Sequence, residues 1–381
     1  MSDITVDKIN NLAGTGAANF THGIKVGGAA QALGGGAFTN SDTEPTSPSD
    51  GDIWYAPTVG NLDYRAGGEW KRVIGGGTAN PVPHIGDRML TASGNTSSNP
   101  YKTNAIRYID ITGSGGSSSF GSLTANRTGV AGTAGGSRGL FAGGIESGYV
   151  NKIEYVTTST TANATDFGDM ASTPSNSATA SNGITAMFAM GQNQPSTIEK
   201  VTIDTAGNAT TWGGSLTNTR NNGPGASDGT KGFFIGGYYG SQQNVIDYVT
   251  IATEANAADW GDLITARNGT GGQAACGTST RILVAGGYTN NSGGQTASIE
   301  YWSPASAGNA YSFGNLTNAA GWVASACNET KAVWAGGYRQ SPALRLDTQN
   351  IVTIATAGNA TTFGSYAFGC DNMGSLSGAA S

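Results

Sequence analysis

The sequence has little charge and few of the residues that build catalytic or metal sites. Only 12% of its 381 residues are Asp, Glu, Lys or Arg, and it has two histidines, His22 and His84, and three cysteines, Cys276, Cys327 and Cys370. Two histidines are too few for most imidazole-based metal sites, and three cysteines cannot all pair within one chain. We therefore predict no metal site, no cofactor, and cysteines that serve as small buried residues in a reducing compartment.

Long apolar runs and basic clusters are also missing. No stretch of 18 consecutive apolar residues occurs, as a membrane-spanning helix would need, and Met1–Lys8 lacks the basic and apolar regions of a secretion signal. The net charge is −6, and no run of Lys or Arg is dense enough to neutralise a phosphate backbone. These absences predict no membrane insertion and no nucleic-acid partner.

Glycine is abundant, with 61 residues, and the chain repeats itself. An aromatic residue followed by Gly recurs with a period of 45 to 53 residues, after strand-like runs broken by Gly and Asn, and no copy shows a helical apolar stripe. This period and texture are typical of a β-propeller with one four-stranded blade per repeat. The six aromatics are Phe120, Phe167, Trp212, Trp260, Phe313 and Phe363.

One repeat shows the four predicted strands clearly. Residues 219–227 form a Gly-rich inner strand, 232–237 the second, 245–251 the third and 258–261 a short outer strand. Small residues suit the crowded axis, and large aromatics suit the widening space between blades.

The two ends of the repeat region predict how the ring closes. The first repeat begins at a second strand, residues 86–90, and the last continues beyond Phe363 into an inner-strand-like stretch, residues 364–381. An open ring would leave an unpaired edge. We therefore predict an all-β fold with a six-bladed propeller over residues 84–381, closed by the C-terminal strand.

Two smaller regions precede the propeller. Residues 1–34 are predicted to be an extended attachment segment that a partner orders. Residues 35–83 contain linkers and a small β-meander with alternating polarity at 52–56, 62–65 and 69–73. So few residues cannot bury a large core alone.

The second strand of each repeat ends in glycine. A phosphate-binding loop would need a following helix, so we interpret these residues as a tight turn. The six positions are Gly94, Gly144, Gly191, Gly237, Gly287 and Gly337, and four of them form Gly-Gly pairs. With the later tyrosines (Tyr155, Tyr248, Tyr301) and tryptophans (Trp212, Trp260), this pattern resembles the kelch motif, which implies a propeller.

A second resemblance concerns function. Ser2–Ile9, Asp50–Tyr55 and the recurrent Ala-Thr-Ala-Gly-Asn-Ala-Thr texture look like bacteriophage structural proteins, especially fibres and adhesins of marine cyanophages. The resemblance implies a homo-oligomeric virion protein that contacts other virion proteins through its N-terminal segment and a host surface glycan or protein through its propeller. The alternatives are a tail, collar or head component that contacts only virion neighbours, and a cellular kelch-type protein-binding scaffold.

Length variation among the repeats predicts the binding surface. From the third strand to the aromatic the spacing is 14 residues in all six copies, whereas from the second-strand Gly to the third strand it is 12, 9, 7, 9, 12 and 12. Unlike loops on one face of a rigid scaffold often form a binding site, and Tyr with Asn, Gln and Ser suits sugars or proteins; unselected drift in loop length is the alternative. The candidates are Tyr101, Tyr149, Tyr238, Tyr239, Tyr288, Tyr338, Arg339 and Arg345.

Three arginines, Arg127, Arg220 and Arg267, follow the aromatic at one equivalent place. They could ring an anion near the axis. Alternatively, each inherited Arg pairs with a backbone carbonyl or with an Asp such as Asp169 or Asp262.

No constellation predicts an enzyme. The sequence has no Gly-x-Ser-x-Gly elbow. A copper oxidase site would need two histidines within the propeller, and one of the two histidines here, His22, lies outside it. Glycoside hydrolysis requires two facing carboxylates. The acids here occupy repeat-inherited positions instead, among them Glu154, Glu199, Asp247 and Glu300.

Overall fold

The computed structural model describes residues 85–97, 101–135, 137–193, 196–269 and 275–378, together with nine short strands and a few residues between 43 and 52 that precede them. The chain divides into two compact units, Met1–Asn80 and Pro81–Ser381. Much of the predicted attachment segment lies outside the described residues.

The first unit contains short strands. Ile4–Val6, Ile24–Val26 and Ala29–Gln31 form one antiparallel sheet, and Ile9–Asn10 pairs with Asn19–Phe20. A second sheet contains Phe38–Asn40, Ile53–Ala56, Asn61–Ala66 and Glu69–Arg72. The last three strands confirm the predicted meander, and the parallel pairing of Phe38–Asn40 with Ile53–Ala56 was not predicted.

The second unit is a six-bladed β-propeller, and no helix occurs among its described residues. Each blade is a four-stranded antiparallel sheet. From the inner to the outer strand, the blades contain Gly374–Gly378, Arg88–Ala92, Thr103–Asp110 and Ser118–Arg127 (blade 1); Ala131–Gly135, Arg138–Ala142, Lys152–Thr157 and Thr165–Asp169 (blade 2); Ala178–Ser181, Thr185–Ala189, Thr197–Thr202 and Thr210–Ser215 (blade 3); Gly225–Ser227, Lys231–Ile235, Val245–Thr250 and Ala258–Asp262 (blade 4); Ala275–Gly277, Ile282–Ala285, Ser298–Trp302 and Tyr311–Asn315 (blade 5); and Ala324–Cys327, Lys331–Ala335, Thr348–Thr353 and Thr361–Ser365 (blade 6).

The C-terminal strand closes the ring, as predicted. Gly374–Gly378 pairs antiparallel with Arg88–Ala92, so that Arg88 faces Gly378 and Ala92 faces Gly374. Asn95–Thr96 extends the contact by pairing with Cys370–Asp371. Blade 1 therefore combines the last strand of the chain with three strands that lie about 250 to 290 residues earlier.

The hydrophobic core lies between blades, as the placement of aromatics predicts. Between blades 4 and 5, Phe233 meets Trp260 edge to face at a centroid distance of 5.1 Å and Trp302 at 5.9 Å. All three side chains are buried. The inner strands carry Gly, Ala, Ser and Cys, which lets six strands approach the axis closely.

A repeated Asn links each blade to the one before it. The Asn between the third and outer strands accepts a hydrogen bond from a backbone N–H on the outer strand of the preceding blade. The five pairs, all at 3.0 Å, are Asn163 with Ser122, Asn208 with Asp169, Asn256 with Ser215, Asn309 with Asp262 and Asn359 with Asn315. The recurrent Gly-Asn-Ala and Ala-Asn-Ala texture of the sequence therefore has a structural role.

The junction of blades 6 and 1 uses different bonds. Gly116 replaces the linking Asn, and its N–H donates to the side-chain oxygen of Gln349 at 2.9 Å. Gln349 is fully buried, where the other five blades have Ile. The Tyr366 hydroxyl shares a hydrogen bond of 2.7 Å with Thr91.

Candidate functional site

The loops between second and third strands form one face of the propeller, because all six blades share the same strand order. We call this surface the loop face; among the described residues it comprises 93–97, 101–102, 143–151, 190–193, 196, 236–244, 286–297 and 336–347. The turns that lead into the inner strands lie on the same face. Isolated bridges join these turns to the loops, as between Asn221 and Tyr238, Asn268 and Tyr288, and Gly321 and Tyr338.

The predicted aromatic residues occupy two levels on the loop face. Tyr101, Tyr239 and Tyr149 are exposed, with 69%, 67% and 42% of their surface accessible. Tyr238 and Tyr288 are half-buried, as is Tyr338, and they lie where the loops bridge to the inner turns. The structure therefore separates an outer group of aromatics from a group nearer the axis.

The two predicted arginines of the blade 6 loop have protein partners. Arg345 Nε lies 3.2 Å from a carboxylate oxygen of Asp371, whose other oxygen accepts a hydrogen bond from Asn95 at 2.7 Å. Burial raises the pKa of the Asp371 carboxyl, while Asn95 and Arg345 act in the opposite direction. Arg339 donates to Asn318 at 3.2 Å. Arg345 thus links the loop of blade 6 to the closing segment of the ring.

Amide side chains connect neighbouring loops. Gln295 of blade 5 donates to the Tyr338 carbonyl at 2.7 Å and accepts from the Gln340 N–H at 2.9 Å. Gln242 of blade 4 donates to Asn291 of blade 5 at 3.1 Å. These contacts fix the loops of blades 4, 5 and 6 relative to one another.

The three arginines proposed to ring an anion lie inside the blades. Arg127 pairs with Glu154, Arg220 with Asp247 and Arg267 with Glu300, and all six side chains are at most 2% exposed. Burial lowers the pKa of Arg127 to about 10.

Backbone carbonyls complete these sites, as the pairing alternative predicts: Arg220 donates to the carbonyl oxygens of Gly236 and Phe234 at 2.7 and 3.0 Å. The acid partners are third-strand residues, so the suggestion of Asp169 or Asp262 was wrong. None of the three arginines lines the central channel.

The third-strand acids also bind the end of the preceding blade. Glu199 accepts hydrogen bonds from the backbone N–H groups of Ala171 and Ser172, and Asp247 and Glu300 bind equivalent turns. These carboxylates are buried and hold backbone donors, so they are structural.

A ring of backbone hydrogen bonds surrounds the axis on the loop face. Before each inner strand, one residue has a left-handed backbone conformation. Five of these six residues donate their N–H to the carbonyl oxygen of the equivalent residue in the preceding blade, at 2.7 to 3.0 Å. The sixth, Asn222, donates to Met190 at 2.9 Å. We call this set the axial ring; it comprises Gly129, Asn176, Asn222, Gly269, Trp322 and Asn372.

Trp322 is the exception in the axial ring. Its φ of +57° lies in the left-handed region, which glycine and asparagine tolerate but which costs a bulky residue about 1–2 kcal/mol. The indole lies over Gly269, where an added Cβ would come within 3.3 Å of it. It also packs on Tyr288, with ring centroids 6.3 Å apart. Burial raises the pKa of Tyr288, and hydrogen bonds with Gln295 and Trp322 partly oppose this.

Sequence reasoning missed Trp322. The signal was present, because nine residues after the repeat aromatic the other copies have Gly or Asn, with a spacing of ten in one copy. An aromatic residue at a position where the other repeats have Gly or Asn indicates a changed side chain on an unchanged backbone.

The central channel is narrow, with a cavity of about 60 Å³ between the inner strands. Cys276 and Cys327 lie on inner strands that line it, and both thiols, like Cys370, are free and buried. A hydrogen bond with the neighbouring Cys327 thiol, together with burial, raises the pKa of Cys276. The cysteines are therefore small packing residues, as predicted.

Two further observations apply to the described part of the chain. Its residues include no group of three His, Cys, Asp or Glu side chains placed to hold a metal ion. No helix long and apolar enough to cross a bilayer is found there either.

No protein-family model matches the chain, and no curated protein matches its sequence.

Proposed function

We propose that this chain is a bacteriophage virion protein of the tail-fibre or adhesin type, which binds the host cell surface through the loop face. The observation that carries the proposal is the concentration of length variation in the six loops of this one face, which span 7 to 12 residues. From the third strand to the aromatic the spacing is constant, and from the aromatic to the next second-strand Gly it varies only between 24 and 27 residues. Binding surfaces are commonly built from variable loops on a fixed scaffold.

The chemistry of the loop face supports binding. Tyr101, Tyr149 and Tyr239 expose large rings that lose little side-chain entropy on binding. Amides such as Gln295 and Gln242 hold the loops in place, so that little ordering is needed when a ligand binds.

The virion assignment draws on the resemblance of Ser2–Ile9, Asp50–Tyr55 and the Asn-rich turns to phage fibres. In this proposal the N-terminal segment contacts other virion proteins, and the protein acts by binding and not by catalysis. The buried, backbone-bonded acids Glu199, Asp247 and Glu300 favour a structural role for the carboxylates.

Binding of the purified full chain to a panel of bacterial cells, cyanobacteria included, tests the proposal. The matched variant, the loop-shortened protein, has residues 289–295 and 339–344 of the blade 5 and 6 loops replaced by short Gly-Ser linkers and Tyr101, Tyr149 and Tyr239 replaced by Ala. Saturable binding that this variant loses is the expected result. Absence of binding by the folded protein to every strain would refute the host-contact role.

A further inference from the structure

Trp322 is a strained residue that the propeller itself does not need. The equivalent backbone positions are Gly129, Asn176, Asn222, Gly269 and Asn372, which adopt the left-handed conformation more readily. Strained residues of this kind cluster at ligand sites, where surrounding contacts hold them in place.

The surroundings of Trp322 are shaped to present two rings. Gly269 provides the space, because an added Cβ there would come within 2.6 Å of the Tyr288 ring and 3.3 Å of the indole. The two rings lie at 59° to each other and both are half-buried. An antiparallel bridge to Gln295 holds the Tyr288 backbone in place. The result is a fixed aromatic corner beside the axis.

Two asparagines of the axial ring and a compensated charge pair adjoin this corner. The adjoining ring member Asn372 donates its N–H to the Trp322 carbonyl at 3.0 Å, and Asn222 bonds to Gly269 on the other side. Arg345 and Asp371 compensate each other nearby.

We propose that Trp322 and Tyr288 form a binding site for a neutral sugar residue of a surface glycan. The apolar face of a pyranose ring packs on the two aromatic rings, whose fixed geometry sets its orientation. This inference rests on the proposed host-binding function and names its ligand class. The exposed Tyr101 and Tyr239 are then peripheral contacts.

Trp322→Asn is the decisive variant, because Asn occupies three equivalent positions of the axial ring. It relieves the backbone strain, so we expect a thermal midpoint equal to or above that of the natural protein. Tyr311→Ala is the matched control, since Tyr311 is 65% exposed on the outer strand of blade 5. Tyr239→Ala tests the outer rim.

The full chain and these variants are applied to printed bacterial lipopolysaccharides and capsular polysaccharides, and to bacterial cells treated with periodate or with protease. We expect polysaccharide binding that Trp322→Asn weakens at least tenfold, while Tyr311→Ala and Tyr239→Ala retain it. Labelling with 5-fluorotryptophan adds a direct readout, because the resonance absent from Trp322→Asn must shift when the polysaccharide binds.

The other outcomes separate the two proposals. Retention of polysaccharide binding by Trp322→Asn overturns the aromatic corner and leaves host binding intact. Cell binding that survives periodate and is lost after protease treatment identifies a protein ligand, and also overturns the sugar site alone. A full chain that binds neither cells nor polysaccharides refutes both proposals.

Discussion

The buried pair Arg220–Asp247 allows a sharp test of how the blades are joined. Arg220 Nη1 lies 2.8 Å from Asp247, and both side chains are at most 1% exposed. Asp247 also accepts hydrogen bonds from the Thr217 N–H and hydroxyl at 3.0 and 2.6 Å. Asp247→Asn keeps an acceptor for Thr217 but leaves the guanidinium buried without a countercharge.

Breaking a buried pair by removing one partner costs about 3–5 kcal/mol. The propeller unit spans residues 81–381, and the unfolding entropy of a domain of about 300 residues converts that cost into a fall in the thermal midpoint of roughly 5–8 °C.

Blade 6 shows how the blade is built without this ion pair. It has Ala320 and Asn350 at the positions equivalent to Arg220 and Asp247, and Asn350 accepts the same pair of hydrogen bonds from Thr317, at 2.9 and 2.7 Å. In an Arg220→Ala background, Asp247→Asn should therefore cost no more than about 1 kcal/mol. Calorimetry of the four proteins measures the coupling. An equal cost of Asp247→Asn in both backgrounds would refute the reasoning.

Three further predictions follow from the structure. Deletion of residues 365–381 removes the inner strand of blade 1 and should abolish cooperative unfolding; a synthetic peptide of those residues should restore it, and a folded truncated protein would contradict ring closure. Asn256→Ala removes the acceptor of the Ser215 N–H and should lower stability by about 1 kcal/mol, measured by chemical denaturation against the same-loop control Thr253→Ala, which should be neutral. Because burial raises the pKa of Asp371, the folded state gains stability as the pH falls through that pKa. The thermal midpoint of Asp371→Asn, relative to that of the natural protein, should therefore be higher at pH 7 than at pH 4. A difference in midpoint that does not depend on pH would contradict this prediction.

The architecture of the propeller could be predicted from the sequence because each repeat states the same pattern. Six aromatics at a nearly constant spacing fixed the number of blades, and the incomplete first repeat indicated closure by the C-terminal strand. Periodicity is strong evidence when one supersecondary unit recurs.

The site could be predicted only in part, because the contacts that define it cross between repeats. Tyr288, Tyr338 and Arg345 were identified as loop residues, but their bonds to Trp322, Gln295 and Asp371 join different blades. The acid partners of the arginines were misassigned for the same reason. Glu154 and Asp247 lie 27 residues from their arginines in the chain, and Glu300 lies 33 away.

The most direct test of the account is competition for host adsorption. Under the proposed virion function, purified full chain is added to bacteria together with a phage that carries this protein, and the unadsorbed phage are counted. We predict that adsorption falls as the protein concentration rises, and that the loop-shortened protein has no such effect. Undiminished adsorption at protein concentrations that saturate the cells would contradict the proposed role of the loop face.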